Sequence, residues 1–232
     1  STYHSGQFSL ERRFAQGLSF SFGYTIGKSI DDVSAFLATD GDPSFPQNSH
    51  NLRAERGLST FDQRSRLVAT GSYLSPLGRH WLTKDWRLDL ITACQTGTPL
   101  TPQLGFDNSN TGNTGAIAGA DRPNLIGYPK VESPTSEHFF SREAFAIPAP
   151  FTFGNAGRNI LTGPGFASVD VSLGRIFHLG TTARLHLRIE AFNIFNRTNF
   201  DLPGRIIDQP DFGVIASARS ARQTQLSLRL EF

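Results

Sequence analysis

The sequence predicts an all-β fold, specifically an antiparallel up-and-down transmembrane β-barrel. The chain would supply a fragment of about seven C-terminal strands, with long loops at one end. Three observations carry this. Apolar and polar residues alternate with period two in successive segments, which places each set on its own face of an extended strand. The connections alternate short and long, so the long ones gather at one end of the sheet, as in outer-membrane barrels. The chain ends on an aromatic residue of an apolar strand face, Phe232, with no polar tail after it.

The first strand is read over Tyr3 to Phe14, with Gly6, Phe8 and Leu10 opposed to Gln7, Ser9, Glu11 and Arg13. Ala15-Gln16-Gly17 is a tight turn, its glycine suited to a positive φ. The second strand, Leu18 to Lys28, places Phe20, Phe22 and Tyr24 with Leu18 and Ile26 against Ser and Gly residues. A long polar connection follows, about 29–63, carrying Asp31, Asp32, Asp40 and Asp42. The third strand runs from Arg64 to Leu74 with Leu67, Ala69, Gly71 and Tyr73 outward, and ends at the turn signal Ser75-Pro76-Leu77-Gly78. In the fourth, Trp86 to Gln95, Leu88 and Leu90 oppose Arg87 and Asp89.

The longest connection, about 96–165, is rich in Gly, Pro, Asn and Thr, and a loop of that length signals a functional or mobile segment. The fifth strand, Ala167 to Phe177, opposes Val169, Val171 and Leu173 to Asp170, Ser172 and Gly174. After a short turn at His178 to Thr182, the sixth strand, Ala183 to Asn193, sets Leu185, Leu187 and Ile189 against Arg184, His186, Arg188 and Glu190. A third long connection, 194–221, leads to the last strand. There Leu226, Leu228, Leu230 and Phe232 oppose Gln225, Ser227, Arg229 and Glu231.

In a barrel the apolar sets face lipid. The expected lipid-facing residues are Phe20, Phe22, Tyr24, Leu67, Leu88, Leu90, Val169, Val171, Leu173, Leu185, Leu187 and Ile189. The expected lumen-facing residues are Arg87, Asp89, Asp170, Arg184, His186, Arg188, Glu190, Arg229 and Glu231. Aromatic residues near strand ends (Tyr3, Phe14, Tyr24, Tyr73, Trp86, Phe177) fit interfacial girdles. A soluble β-sandwich alternates in the same way, but it has no reason to sort its loops by parity.

Composition agrees. The net charge of +2 gives a nucleic-acid partner no electrostatic support. The single cysteine, Cys94, excludes an intramolecular disulfide and a CxxC site. No apolar stretch is long enough for a transmembrane helix, which says nothing against barrel strands. The sequence holds no methionine and opens at STYHSGQFSL, already in an extended pattern and unlike a signal peptide. The expectation is that residues 1–232 are one partial domain, the C-terminal piece of a longer protein.

No enzyme is expected. There is no GxSxG nucleophile elbow, and no carboxylate pair is placed for acid–base work. Asp31, Asp32, Asp40 and Asp42 are oxygen ligands for a calcium candidate, but without EF-hand spacing a solvated loop is the preferred reading. The glycines of GNAG (Gly154 to Gly157) and GPG (Gly163 to Gly165) are read as turn glycines, because no strand–loop–helix context makes them a phosphate cradle. The histidines lack metal-ligand spacing, so no metal and no cofactor is expected. The sequon Asn196-Arg197-Thr198 carries no weight.

With the strands placed, YHSGQFSLERRFAQGLSFSFGYTIGKSIDD, NLRAERGLSTFDQRSRLVATGSYLSPLG and TFGNAGRNILTGPGFASVDVSLGRIF resemble the C-terminal barrel of TonB-dependent outer-membrane receptors. The nearest subset is the Oar-like group, which often carries a carboxypeptidase-regulatory-like domain. RIEAFNIFNRTNF resembles the penultimate-strand motif of these receptors, and QLSLRLEF their terminal assembly signal. The resemblance implies a barrel of about 22 strands holding a plug, so the plug and the N-terminal strands would be absent here. It also implies bacterial outer-membrane localisation and energy-coupled uptake of a scarce solute, a small molecule, oligosaccharide or peptide. The implied partners are outer-membrane lipid, the barrel-assembly machinery acting on Leu226, Leu228, Leu230 and Phe232, and the TonB complex through the missing N-terminal region. A plug-less porin-like barrel and a soluble secreted carbohydrate-binding sandwich are the alternatives.

Overall fold

A computed structural model of the protein describes residues 1–34, 45–75, 84–112 and 121–232. Its strands, in chain order, are β1 (Thr2–Ala15), β2 (Leu18–Asp31), β3 (Gly57–Leu58), β4 (Ser65–Leu74), β5 (Trp86–Gln95) and β6 (Pro99–Leu100). They continue with β7 (Asn124–Leu125), β8 (Phe145–Ala146), β9 (Leu161–Thr162), β10 (Phe166–Leu179), β11 (Ala183–Phe192) and β12 (Gln223–Glu231). The long strands form one sheet in the order β1-β2-β4-β5-β10-β11-β12, each antiparallel to the next. This is an up-and-down meander. The two-sheet sandwich fails, because every long strand lies in the same sheet.

The register explains why the alternation in each strand is useful. Directly opposed residues share a face, so a one-residue slip would send each strand's apolar set to the wrong side. Phe22 stands opposite Ala69, Ala69 opposite Thr92, and Thr92 opposite Val169. Lower down, Tyr73, Leu88, Leu173, Ile189 and Leu226 form one apolar row. Between these rows runs a polar one, Ser72, Asp89, Ser172, Glu190 and Gln225. The apolar face is continuous across all seven long strands.

Strand ends are staggered along these rows. Tyr73 is the last residue but one of β4, whereas β10 continues from Leu173 to Leu179. At the other end, β2 continues well past its pairing with β4, up to Asp31, whereas β11 stops at Phe192. Such a progressive shift is the shear that tilted barrel strands require.

The short connections behave as expected where they are described. Gln16 and Gly17 both adopt positive φ (53° and 82°), the two-residue turn that suits the twist of a hairpin. Gly180, at φ 76°, serves the turn between β10 and β11. Pro76, Leu77 and Gly78 of the second predicted turn lie outside the described residues.

Two expectations need correction. Tyr3 belongs to the polar face, opposite Ser29, and so is not part of an outer girdle. Tyr24 lies in mid-strand, opposite Phe8 and Leu67, because β2 runs on to Asp31. The reason is the same for both: parity and true strand length, not proximity to a predicted strand end, decide where an aromatic residue lies. Phe14 falls in an irregularity of the β1–β2 pairing between Arg12 and Ala15. Trp86 and Phe177, on the apolar face, hold the Arg175 guanidinium at 5.4 and 4.4 Å from their ring centres. A cation on this face is tolerated close to a membrane interface rather than at mid-bilayer, and Arg175 lies near the short turn that ends β10.

The buried apolar residues are not in the sheet. Among the described residues, Leu100, Leu104, Phe140, Ala144, Phe145, Ala156, Leu161, Phe212 and Ile215 form the buried hydrophobic set, and all lie in the second and third long connections. Phe140, Phe145 and Phe212 pack edge to face, with centroids 5.0 to 6.0 Å apart. By contrast Phe8, Leu226 and Leu228 on the sheet are 58%, 65% and 63% exposed. Each would cost a soluble protein on the order of 1.5–3 kcal/mol of forgone burial. A sheet that is apolar outside and a core placed among the loops invert the soluble pattern.

Candidate functional site

The sheet positions two opposite surfaces. Its apolar face carries all the residues predicted to face lipid: Phe20, Phe22, Tyr24, Leu67, Leu88, Leu90, Val169, Val171, Leu173, Leu185, Leu187 and Ile189. Leu226, Leu228 and Leu230 continue it on β12, opposite Ile189, Leu187 and Leu185, and Phe232 follows with 99% of its surface exposed.

The polar face carries the residues predicted to face the lumen. Arg184, His186 and Arg188 stand opposite Glu231, Arg229 and Ser227. Arg188 donates from Nε to Ser172 Oγ at 2.9 Å and pairs with Glu190 at 2.7 Å. Glu231 lies 2.9 Å from Arg229 and 3.2 Å from His186 Nε2. Arg87 pairs with Asp89 at 2.9 Å. Asp170 accepts from the Ser168 hydroxyl at 2.9 Å and the Asn193 backbone N–H at 2.8 Å. Exposed pairs of this kind contribute about 0–1 kcal/mol each, so they make a hydrated charged wall rather than a source of stability. The wall is concave, with a hollow of about 740 Å³ bordered by Glu11, Arg13, Arg87, Asp89 and Arg188.

Over one end of the sheet the long connections fold together into a cap. Expected as irregular polar loops, they are built around buried ion pairs instead. Arg122 holds Glu55 with both arms of its guanidinium, at 2.6 and 3.1 Å, and both side chains are buried. Gln47 completes this centre. Its backbone N–H donates to Glu55, its Oε1 accepts from the Arg122 backbone N–H at 2.7 Å, and its Nε2 donates to the Gly154 carbonyl at 3.0 Å. A second buried arginine, Arg158, pairs with Asp31 and donates to the Glu55 carbonyl at 2.8 Å and the Ser34 hydroxyl at 3.1 Å. These contacts tie the second long connection to the first. The third joins through Phe212 in the aromatic core and through Asp208, which accepts from the Gly105 N–H at 2.8 Å.

Asp31 is therefore not a solvated loop residue. It ends the part of β2 that pairs with β3, beyond the last pairing with β4 at Ile26, and so it belongs to the cap. Burial pushes its carboxyl up, but hydrogen bonds from Ser59, Arg158 and Ser34 outweigh that and hold it below the ordinary carboxylate range. Asp32 stays exposed, 3.7 Å from Arg56. Asp40 and Asp42 lie outside the described residues. Among the described residues no three His, Cys, Asp or Glu side chains converge as metal ligands.

The glycine motifs serve packing. A Cβ at Gly154 would stand 2.0 Å from the Arg122 carbonyl, and one at Gly163 would stand 2.3 Å from Leu202 Cδ2. Gly154 lets two stretches of the second connection pack together, and Gly163 lets the second connection touch the third. Sequence reasoning missed Gln47, Glu55, Arg122 and Arg158, because in a segment without periodicity a buried arginine reads like a solvated one.

A meander with one apolar face, one charged concave face and its connections capped at one end is the wall of a membrane β-barrel. Residues 1–225 match the family model for an outer membrane beta barrel domain, and the chain belongs to that family. No curated protein and no solved structure matches it significantly. The protein is thus a component of the outer membrane, and its fold is that of an outer-membrane β-barrel.

Proposed function

We propose that this chain is the C-terminal part of an Oar-like TonB-dependent receptor that takes up a scarce solute at the expense of energy. Further strands would pair with the exposed edges of β1 and β12, and a plug would fill the lumen. The apolar face would contact lipid and the charged face the lumen, with no catalytic step and no resident cofactor or metal. Leu226, Leu228, Leu230 and Phe232 would be read by the barrel-assembly machinery, and the TonB complex would engage an N-terminal region. The observation that carries this reading is the cap. Two long connections cross-linked by buried ion pairs, with the third joined to them through the aromatic core, make a built surface above the wall, which suits capture of a dilute solute better than free diffusion through an open mouth. The motif resemblance from Tyr3 to Phe232 points the same way.

The rival is a passive porin-like barrel. Uptake by cells expressing the full-length gene would be followed with and without a proton uncoupler, and in a strain lacking TonB. Loss of uptake in both conditions is expected. Undiminished uptake, with steady ion conductance in planar bilayers, would establish the passive barrel instead.

A further inference from the structure

Where the cap meets the wall, the connections enclose a cleft of about 820 Å³, and a smaller hollow of about 220 Å³ lies beside it. The two share Phe166 and Arg219. Phe166 opens β10 on the polar face, opposite Gln95, and the Arg219 guanidinium stacks over its ring at 4.8 Å. Below this stack the hollow runs onto the polar face, past Ser168, Asp170 and Phe192. Above it, the cleft is bordered by Phe200, Asp201, Gln209 and Asp211. The stack is fixed from behind: buried Asn199 exchanges hydrogen bonds with both backbone groups of Ala167 and accepts the Arg219 N–H at its carbonyl.

We propose that this groove, centred on Arg219 and Phe166, is a binding site for a neutral oligosaccharide passing from the cap to the charged wall. The chemistry of the lining carries the assignment. Its size is that of a small-molecule site. In the cleft Asp201 and Asp211 balance Arg205 and Arg219, and the hollow adds only Asp170, whose carboxylate already accepts from Ser168 and Asn193, so the groove has little charge with which to select an ionic ligand. Phe200, 40% exposed at the border of the cleft, offers an apolar ring to the C–H face of a sugar. Carboxylate, guanidinium and amide side chains of the same lining supply the mixed acceptors and donors that adjacent hydroxyls need. Stacking on Phe166 occupies the face of the guanidinium and leaves its in-plane N–H groups for a ligand. A peptide is disfavoured because the backbone of this loop is already used: Asp201 donates to Ser217, Gly204 to Val214 and Gly213 to Gly204. That leaves little free edge for strand addition. The site does not depend on energy coupling and serves a coupled receptor or a passive barrel alike.

The test uses the full-length protein in detergent, titrated with maltohexaose, cellohexaose, laminarihexaose and chitohexaose, with tetra-alanine as a peptide control. At least one hexasaccharide should bind. Arg219→Ala and Phe200→Ala should each weaken it roughly tenfold, the loss of one charged hydrogen bond or ring contact. Tyr128→Ser, an exposed cap position outside the groove, should leave it unchanged. Heat-shifted gel mobility confirms folding of each variant, and exposed Gln209→Ala replaces any that misfolds. No binding of any hexasaccharide, binding unmoved by the groove variants, or binding of tetra-alanine alone would overturn the assignment. Because binding to purified protein needs no energy source, this result stands apart from the TonB test.

Discussion

Replacing Glu55 with Ala should release the cap without unfolding the wall. Glu55 and Arg122 are 4% and 2% exposed at their side chains, and two guanidinium arms at 2.6 and 3.1 Å hold them together. Removing the carboxylate leaves a buried cation uncompensated, which costs about 3–5 kcal/mol. It also orphans the Gln47 backbone N–H, which Glu55 accepts at 3.1 Å. The wall has its own hydrogen-bond ladder and should keep its heat-shifted mobility. The assay is limited proteolysis of the full-length protein in detergent, read as the rate of cleavage within residues 45–60 and 121–165. A cost of 3–5 kcal/mol, if opening precedes cleavage, corresponds to at least a hundredfold faster cutting. The double variant Glu55→Leu with Arg122→Met should recover most of the protection, since apolar replacement of a buried pair is often neutral. Wild-type cleavage rates in Glu55→Ala would refute the cap as an ion-paired unit.

Three further outcomes follow from the same geometry. Phe22→Arg places a cation amid Leu10 and Ala69 and removes the edge-to-face contact with Phe8, so folding into lipid vesicles should weaken by about 2–4 kcal/mol; an unchanged denaturant midpoint would show the face assignment to be wrong. Phe232→Glu should lower the amount of heat-modifiable barrel assembled in cells, checked by gel mobility of outer-membrane fractions, and equal amounts would sink the assembly role. Asp31, whose carboxyl is held below its ordinary value, contributes stability that is present above its unfolded value and lost as pH falls through its folded one. Protease resistance of the cap should therefore drop on acidification below the ordinary carboxylate range, and a flat profile down to the acid limit of the protease would contradict the Arg158–Asp31 latch.

What was legible in the sequence follows from periodicity. Two-residue alternation fixes faces locally, so Leu185, Leu187 and Ile189 could be assigned a side without their neighbours, and the pairing of β10, β11 and β12 then placed them beside Leu226, Leu228 and Leu230. Loop parity needed only the strand positions. The cap was not legible. Glu55 and Arg122 are far apart in the chain, and nothing local distinguishes a guanidinium with a buried partner from one in water. Phe140, Phe145 and Phe212 are likewise spaced without a period, so their shared core appears only once the connections are folded. Tyr3 shows the converse error, since a strand-end argument overrode the parity that Phe8 and Leu10 already defined.

The uncovered apolar face of the sheet lies against lipid, and this placement sets the direction of every other surface of the wall. It is tested most directly by placing single spin-labelled cysteines, in a Cys94→Ala background, at Phe22, Leu90 and Leu228 and at their neighbours Ser21, Asp89 and Ser227. The full-length protein would be reconstituted in lipid vesicles and its accessibility to oxygen and to a water-soluble nickel chelate compared. Oxygen-dominated accessibility is expected at the first three positions and chelate-dominated accessibility at the second three. Chelate access at Phe22, Leu90 and Leu228 would contradict it.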